Sequence, residues 1–146
     1  MPDTTAVTAF IERYRATFSS FDLDAIGACF AFPLQVIGQA DAVSVVSVPE
    51  PGAWRPQLER ITGAYRLLGV VGAEVLALRV DAVTAGIAHV TVHWSLRDGG
   101  DNEAYDFTAS YTVADLGGGP RIVAIAHDET PKLLAAIARR QGTPTG

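Results

Sequence analysis

Four runs of alternating apolar and polar residues follow one another in the second half of the chain, with only short links between them. They are EVLALRVDAV, GIAHVTVHWSLR, EAYDFTASYTVA and PRIVAIAH, over residues 74–127. A period of two is the mark of a β-strand with one buried face. The links Ala85-Gly86, Asp98-Gly99-Gly100 and Gly117-Gly118-Gly119-Pro120 are turn sequences, too short for a crossover helix. Successive strands must therefore pair antiparallel.

The first half has a different period. Val7, Phe10, Ile11, Tyr14 and Phe18 recur at helical spacing, with Thr4 or Thr5 as a cap and Ser19-Ser20 as a break. A short second helix is predicted with Asp22 as N-cap, Leu23, Ile26 and Phe30 on one face, and Pro33 as its end. A third is predicted to open at Pro56, with Leu58, Ile61, Tyr65 and Leu68 as its stripe and Gly69 as its stop. Between them VSVVSV reads as a short strand. The last helix is predicted to be capped by Thr130, to start at Pro131 and to turn Leu133, Leu134 and Ile137 inward, with Arg139-Arg140 at its negative end. Helices first and a meander after them give an α+β domain over residues 4–141, with helices on one face of a twisted, curved antiparallel sheet. Residues 1–3 and 142–146 read as loose ends.

Charge and composition narrow the function. The net charge is −5 with no basic block, which argues against nucleic acid and anionic membranes as partners. No apolar run is long enough to span a bilayer, and the first residues lack a secretory pattern, so a cytoplasmic protein is expected. The single cysteine, Cys29, excludes an internal disulfide and reads as a small buried apolar residue.

Alternation then sorts the strand residues. Val90, Val92, Trp94 and Leu96 share one face, and Tyr105, Phe107, Ala109, Tyr111 and Val113 share another; both sets should face the core or a pocket. Val123, Ile125 and His127 are expected inward, opposite Ile122, Ala124 and Ala126. His127, at the inner end of a strand, is the leading candidate for proton transfer near neutral pH. A hydrogen-bonded or rim histidine is the plainer alternative. Asp128 and Glu129 are expected to serve the positive end of the last helix, at ~0.3–1 kcal/mol each. His89 and His93 lie about 13 Å apart along a strand at ~3.3 Å per residue, too far to share a zinc ion. No metal and no cofactor is expected. Arg79 and Asp81 share a face and are expected to pair on the surface. Tyr14, Tyr65, Trp94 and Tyr111 could donate hydrogen bonds to a ligand or simply pack. With Phe18, Phe107 and Ile125 they would line a pocket for a small apolar molecule. Tyr14 is a candidate polarising hydroxyl. Asp106 would be a pocket acid only if its strand faced the other way.

The element order, with FDLDAIGACFAFPL, the strand pair 86–97 and 103–115, and PRIVAIAHDE, resembles the nuclear transport factor 2-like superfamily, most of all its SnoaL-like branch. The resemblance covers almost the whole chain and is architectural. It implies a cone-shaped, cystatin-like roll wrapped around the first helix, and a homodimer through the sheet. Such folds include ketosteroid isomerases, scytalone dehydratases, epoxide hydrolases and polyketide cyclases, beside members with no known activity. In SnoaL-like cyclases a proton-transferring aspartate follows the Lys-Ile that opens the last strand. With Arg121-Ile122 set on that pair, His127 takes the aspartate's place and Ile125 takes that of a frequent histidine. Both are departures from the cyclase pattern. Two functions stand side by side. One is cofactor-free isomerisation, cyclisation or dehydration of an apolar ligand; the other is a non-catalytic binding or dimerisation module with a filled or vestigial pocket.

Overall fold

The computed structural model describes residues 4–142. Helix α1 (Thr4–Ser19) and the short α2 (Leu23–Gly27) are followed by β1 (Phe30–Gln39) and β2 (Val43–Val48). Then come α3 (Pro51–Leu67), the meander β3 (Val70–Thr84), β4 (Ile87–Asp98), β5 (Glu103–Asp115) and β6 (Pro120–His127), and finally α4 (Glu129–Gln141). The six strands form one sheet in the order β2-β1-β6-β5-β4-β3. The meander is antiparallel as predicted, and VSVVSV is the edge strand β2.

Several expectations are corrected. The sheet is not wholly antiparallel: β1 runs parallel to β6. The stretch around Pro33 is not the end of a helix. Phe30 opens a strand, and Pro33 lies inside it, preceded by a cis peptide bond. The pairing with β6 jumps from Phe30↔Ile122 to Gln35↔Ala124, so Pro33 falls in an irregular stretch where its missing N–H breaks no ladder bond with β6. Helix α3 opens at Pro51, five residues before Pro56, so both prolines belong to it. Thr4 and Thr5 stand inside α1 rather than before it. Thr130 does not cap α4; Glu129 is its first residue, preceded by Asp128. Leu134 is exposed, whereas Leu133 and Ile137 pack against the core with the buried Ala136.

Other signals hold. The Asp22 carboxylate accepts the N–H groups of Asp24 and Ala25 at 3.1 and 3.2 Å, which caps α2. Leu68 ends α3 and Gly69 follows at φ +75°, a left-handed conformation natural to glycine after a helix. The inner faces of β4 and β5 are as alternation placed them: Val90, Val92, Trp94, Leu96, Tyr105, Phe107, Ala109, Tyr111 and Val113 are all buried. The parity of β6 is broken by a bulge, where the pairing shifts from Thr112↔Ala124 to Val113↔Ile122. Ile122 therefore turns fully inward, against expectation, while Ile125 remains inward on the far side of the bulge. Helix α1 lies across the sheet with Val7, Phe10, Ile11 and Tyr14 buried, so it forms the spine of the core.

Candidate functional site

The helices do not fill the concave side of the sheet. A cavity of about 400 Å³ remains between α1, α3, the inner sheet face and the start of α4. That size is in the range of small-molecule sites. Of the residues singled out by sequence, Tyr14, Phe18, Tyr65, Trp94, Phe107, Tyr111, Ile125 and His127 all line it. Asp106 does not. It stands on the outer face of β5, where its carboxylate meets His93 Nε2 at 2.6 Å and is held below the usual carboxylate range by that contact. His89 bonds Thr112 at 3.2 Å, so the two strand histidines have separate partners. Arg79 and Asp81 pair on the surface at 2.9 Å, as expected. Cys29 is half-buried, with its Sγ 3.6 Å from the Ala25 carbonyl.

Two hydrogen-bonded groups face the cavity. In the first, the Trp94 Nε1–H donates to the Tyr111 hydroxyl at 2.9 Å, and the Tyr111 ring stands edge-on to that of Tyr14 at 5.8 Å. Around Tyr14 the rings of Phe18, Phe30, Trp94 and Tyr111 stand edge-on, at centroid distances of 5.7–6.3 Å. In the second, the hydroxyls of Tyr65 from α3 and Tyr105 from β5 both donate to Glu129 Oε2, Tyr105 at 2.7 Å. Burial pushes all four tyrosines well above their ordinary value, so each is a neutral donor across the working pH range.

Glu129 departs from its expected place. The helix dipole is enough to explain a carboxylate at this point of the sequence, yet the side chain reaches into the cavity wall between two tyrosines. Burial raises its pKa, against the lowering effect of the two hydroxyls, and the neighbouring Asp128 adds to the rise. The available signal was parity: Ile125, His127 and Glu129 continue one face at a spacing of two. Trp54, Gln57 and Arg60 also line the cavity and were missed: Trp54 because α3 starts a turn and more before Pro56, Gln57 and Arg60 because the reading followed only the apolar stripe of the helix. Extending the stripe Leu58, Ile61, Tyr65 back by one turn reaches Trp54.

His127 sits beside this acid. Its Nδ1 accepts the Glu129 backbone N–H at 3.1 Å, which leaves the ring proton on Nε2. Burial lowers its pKa, so at neutral pH it is an uncharged imidazole. The ring packs on Gly38 of β1: a Cβ there would lie 3.2 Å from Cε1, so the glycine makes room for it. Among the described residues there is no cluster of three or more metal-ligating side chains. Among the described residues no helix is long and apolar enough to cross a membrane.

The family described as NTF2-like protein (DUF6841) matches residues 3–130. The chain belongs to the NTF2-like family. No curated protein matches the sequence. Among solved structures, this NTF2-like chain is similar to an NTF2-like protein with a cystatin-like fold from Novosphingobium aromaticivorans (TM-score 0.66, 15% identity, 92% of this chain and 88% of that one). It is also similar to Aln2 from a Streptomyces species (0.66, 14%, 91% and 94%). A third is the β subunit of benzoate 1,2-dioxygenase from Burkholderia mallei (0.66, 16%, 88% and 91%). At such identities the likeness is one of fold. It agrees with the α+β roll expected from the element order.

Proposed function

We propose that this NTF2-like domain binds a small, largely apolar molecule in its cone and moves a proton on it without a cofactor. The observation that carries the reading is the Glu129 carboxyl. It has a raised pKa, is held by two tyrosine hydroxyls, and lies beside a neutral histidine on the wall of an apolar cavity. In the proposed step Glu129 takes a proton from a carbon next to a carbonyl. Tyr111, polarised by the Trp94 N–H, or the Nε2–H of His127, donates a hydrogen bond to the oxygen that gains charge. Glu129 then returns the proton to another carbon, which is isomerisation, or passes it to a hydroxyl on the neighbouring carbon, which leaves as water as the C–O bond breaks and the C=C bond forms, which is dehydration.

The test is hydrogen exchange. The α-protons of tetralone, an enolisable apolar ketone, should exchange into heavy water faster with the protein than without it. Glu129→Gln should slow this by about a hundredfold or more. Exchange that Glu129→Gln leaves unchanged would remove the catalytic role.

A second reading, a binding module without chemistry, draws support from one detail. Both hydroxyls converge on Oε2 of Glu129 and so tie α3, β5 and α4 together, which is also what a structural staple would do. A homodimer through the outer face of the sheet belongs to either reading. That face carries the polar rows His89, Thr91, His93 and Asp106, Thr108, Ser110, with Thr91 and Ser110 3.3 Å apart.

A further inference from the structure

Helix α3 turns three hydrogen-bond donors to the cavity at successive steps of three residues: Trp54, Gln57 and Arg60. Trp54 is only 8% exposed, and its Nε1–H is enclosed with no acceptor among the described residues. A buried donor without a partner is uncommon in a folded protein and points to an acceptor from outside. Two arginines line the cavity, and they differ. Arg15 is committed: its Nε and Nη2 bond Glu12 Oε1 at 2.8 and 2.6 Å, and its Nη1 bonds the Ala73 carbonyl at 3.2 Å. Arg60 forms no ion pair among the described residues, since the adjacent Glu59 is turned to Arg55 at 3.6 Å. Among the described residues the only carboxylate in the lining is Glu129. The groups that act on it are Tyr65, Tyr105 and Asp128, with no cation among them. The donor wall of α3 and the acid at the start of α4 thus line one apolar chamber without an ion pair between them among the described residues. The chain as a whole is acidic, so its bulk field does not draw anions in and recognition of one would be local.

We propose that the ligand is an amphipathic carboxylate. Its carboxylate is held by Arg60, with Gln57 and Trp54 as further donors. Its apolar body lies along Ile61, Trp94 and Phe107, and its far end is presented to Glu129. This rests on the cavity being a ligand site, as proposed above, and adds the polarity and orientation of what it takes.

The probes are phenylbutyrate and its neutral counterpart phenylbutanol, titrated calorimetrically into the full chain at neutral pH. Both tryptophans, Trp54 and Trp94, line the cavity, so their fluorescence reports occupancy independently. The carboxylate should bind about tenfold tighter than the alcohol. Arg60→Ala, at an exposed position, should weaken the carboxylate about tenfold more than the alcohol, so that the two then bind alike. Equal binding of acid and alcohol, or an Arg60→Ala variant that weakens both alike, would overturn the carboxylate assignment and leave the cavity reading intact. If neither probe perturbs the tryptophans, the cavity reading falls as well.

Discussion

At the scale of single residues, Glu129 and His127 pull stability in opposite directions with pH. Burial raises the Glu129 pKa, so the folded protein keeps this proton to higher pH than the unfolded chain does. Its stabilising contribution is whole below its ordinary value of 4.5 and is lost as pH rises through the folded value. Glu129→Gln, which keeps an acceptor for the tyrosines, should therefore melt at the same or a higher temperature than the parent at neutral pH. The gap should close as pH falls toward 4.5. His127 is lowered by burial, so its contribution is present above its ordinary value of 6.5 and is lost as pH falls through the folded value. His127→Asn, which can still accept the Glu129 N–H, should flatten the loss of melting temperature on that acid side. Thermal melts of the three proteins across pH check both statements. Trp94, Tyr111, Ile125 and His127 were legible because period-two alternation fixes a face without knowledge of the partner strand, and Tyr14 and Tyr65 because they fall on the apolar stripes of their helices. Glu129 was not, because a carboxylate before a helix has a sufficient local explanation. Only the tyrosines of α3 and β5, distant in sequence, show what it touches.

At the scale of elements, the punctuation of the chain sets local stability. Asp22 satisfies two N–H groups of a five-residue helix whose only buried side chain is Ile26. Asp22→Ala should cost about 1 kcal/mol, measured by urea unfolding. Gly69 adopts φ +75° where α3 gives way to β3, so Gly69→Ala should cost about 1–2 kcal/mol in the same experiment. The meander was readable from sequence because each strand pairs with its neighbour across a short turn. β1 was not, since its central partner β6 comes some ninety residues later and Pro33 imitates a helix stop. Phe30 at helical spacing from Ile26 completed the imitation. The early start of α3 was hidden by a second proline: either Pro51 or Pro56 suits a first turn, and only the burial of Trp54 decides between them.

At the scale of the molecule, the roll has two unlike surfaces. The concave side is aromatic and closed over by α1, α3 and α4. The outer side of β4 and β5 is a polar row of histidines, hydroxyls and Asp106. Light scattering after size exclusion should give twice the monomer mass of 15.4 kDa if the outer face pairs two copies. A monomer at high concentration removes that proposal. Fold class was legible at this scale because helices followed by a meander leave few ways to bury one sheet face. Cavity volume was not, since it depends on how far α3 stands off the sheet.

The position of β6 has a consequence for biosynthesis. This strand is the last of the six to be made, yet it lies third in the sheet, between β1 and β5. Until residues 120–127 leave the ribosome, the β1–β2 hairpin and the β3–β5 meander have no shared ladder, and two strand edges stand open. Nascent chains arrested before residue 120 should remain protease-sensitive and chaperone-bound, and release of the last strand should close the sheet in one cooperative step.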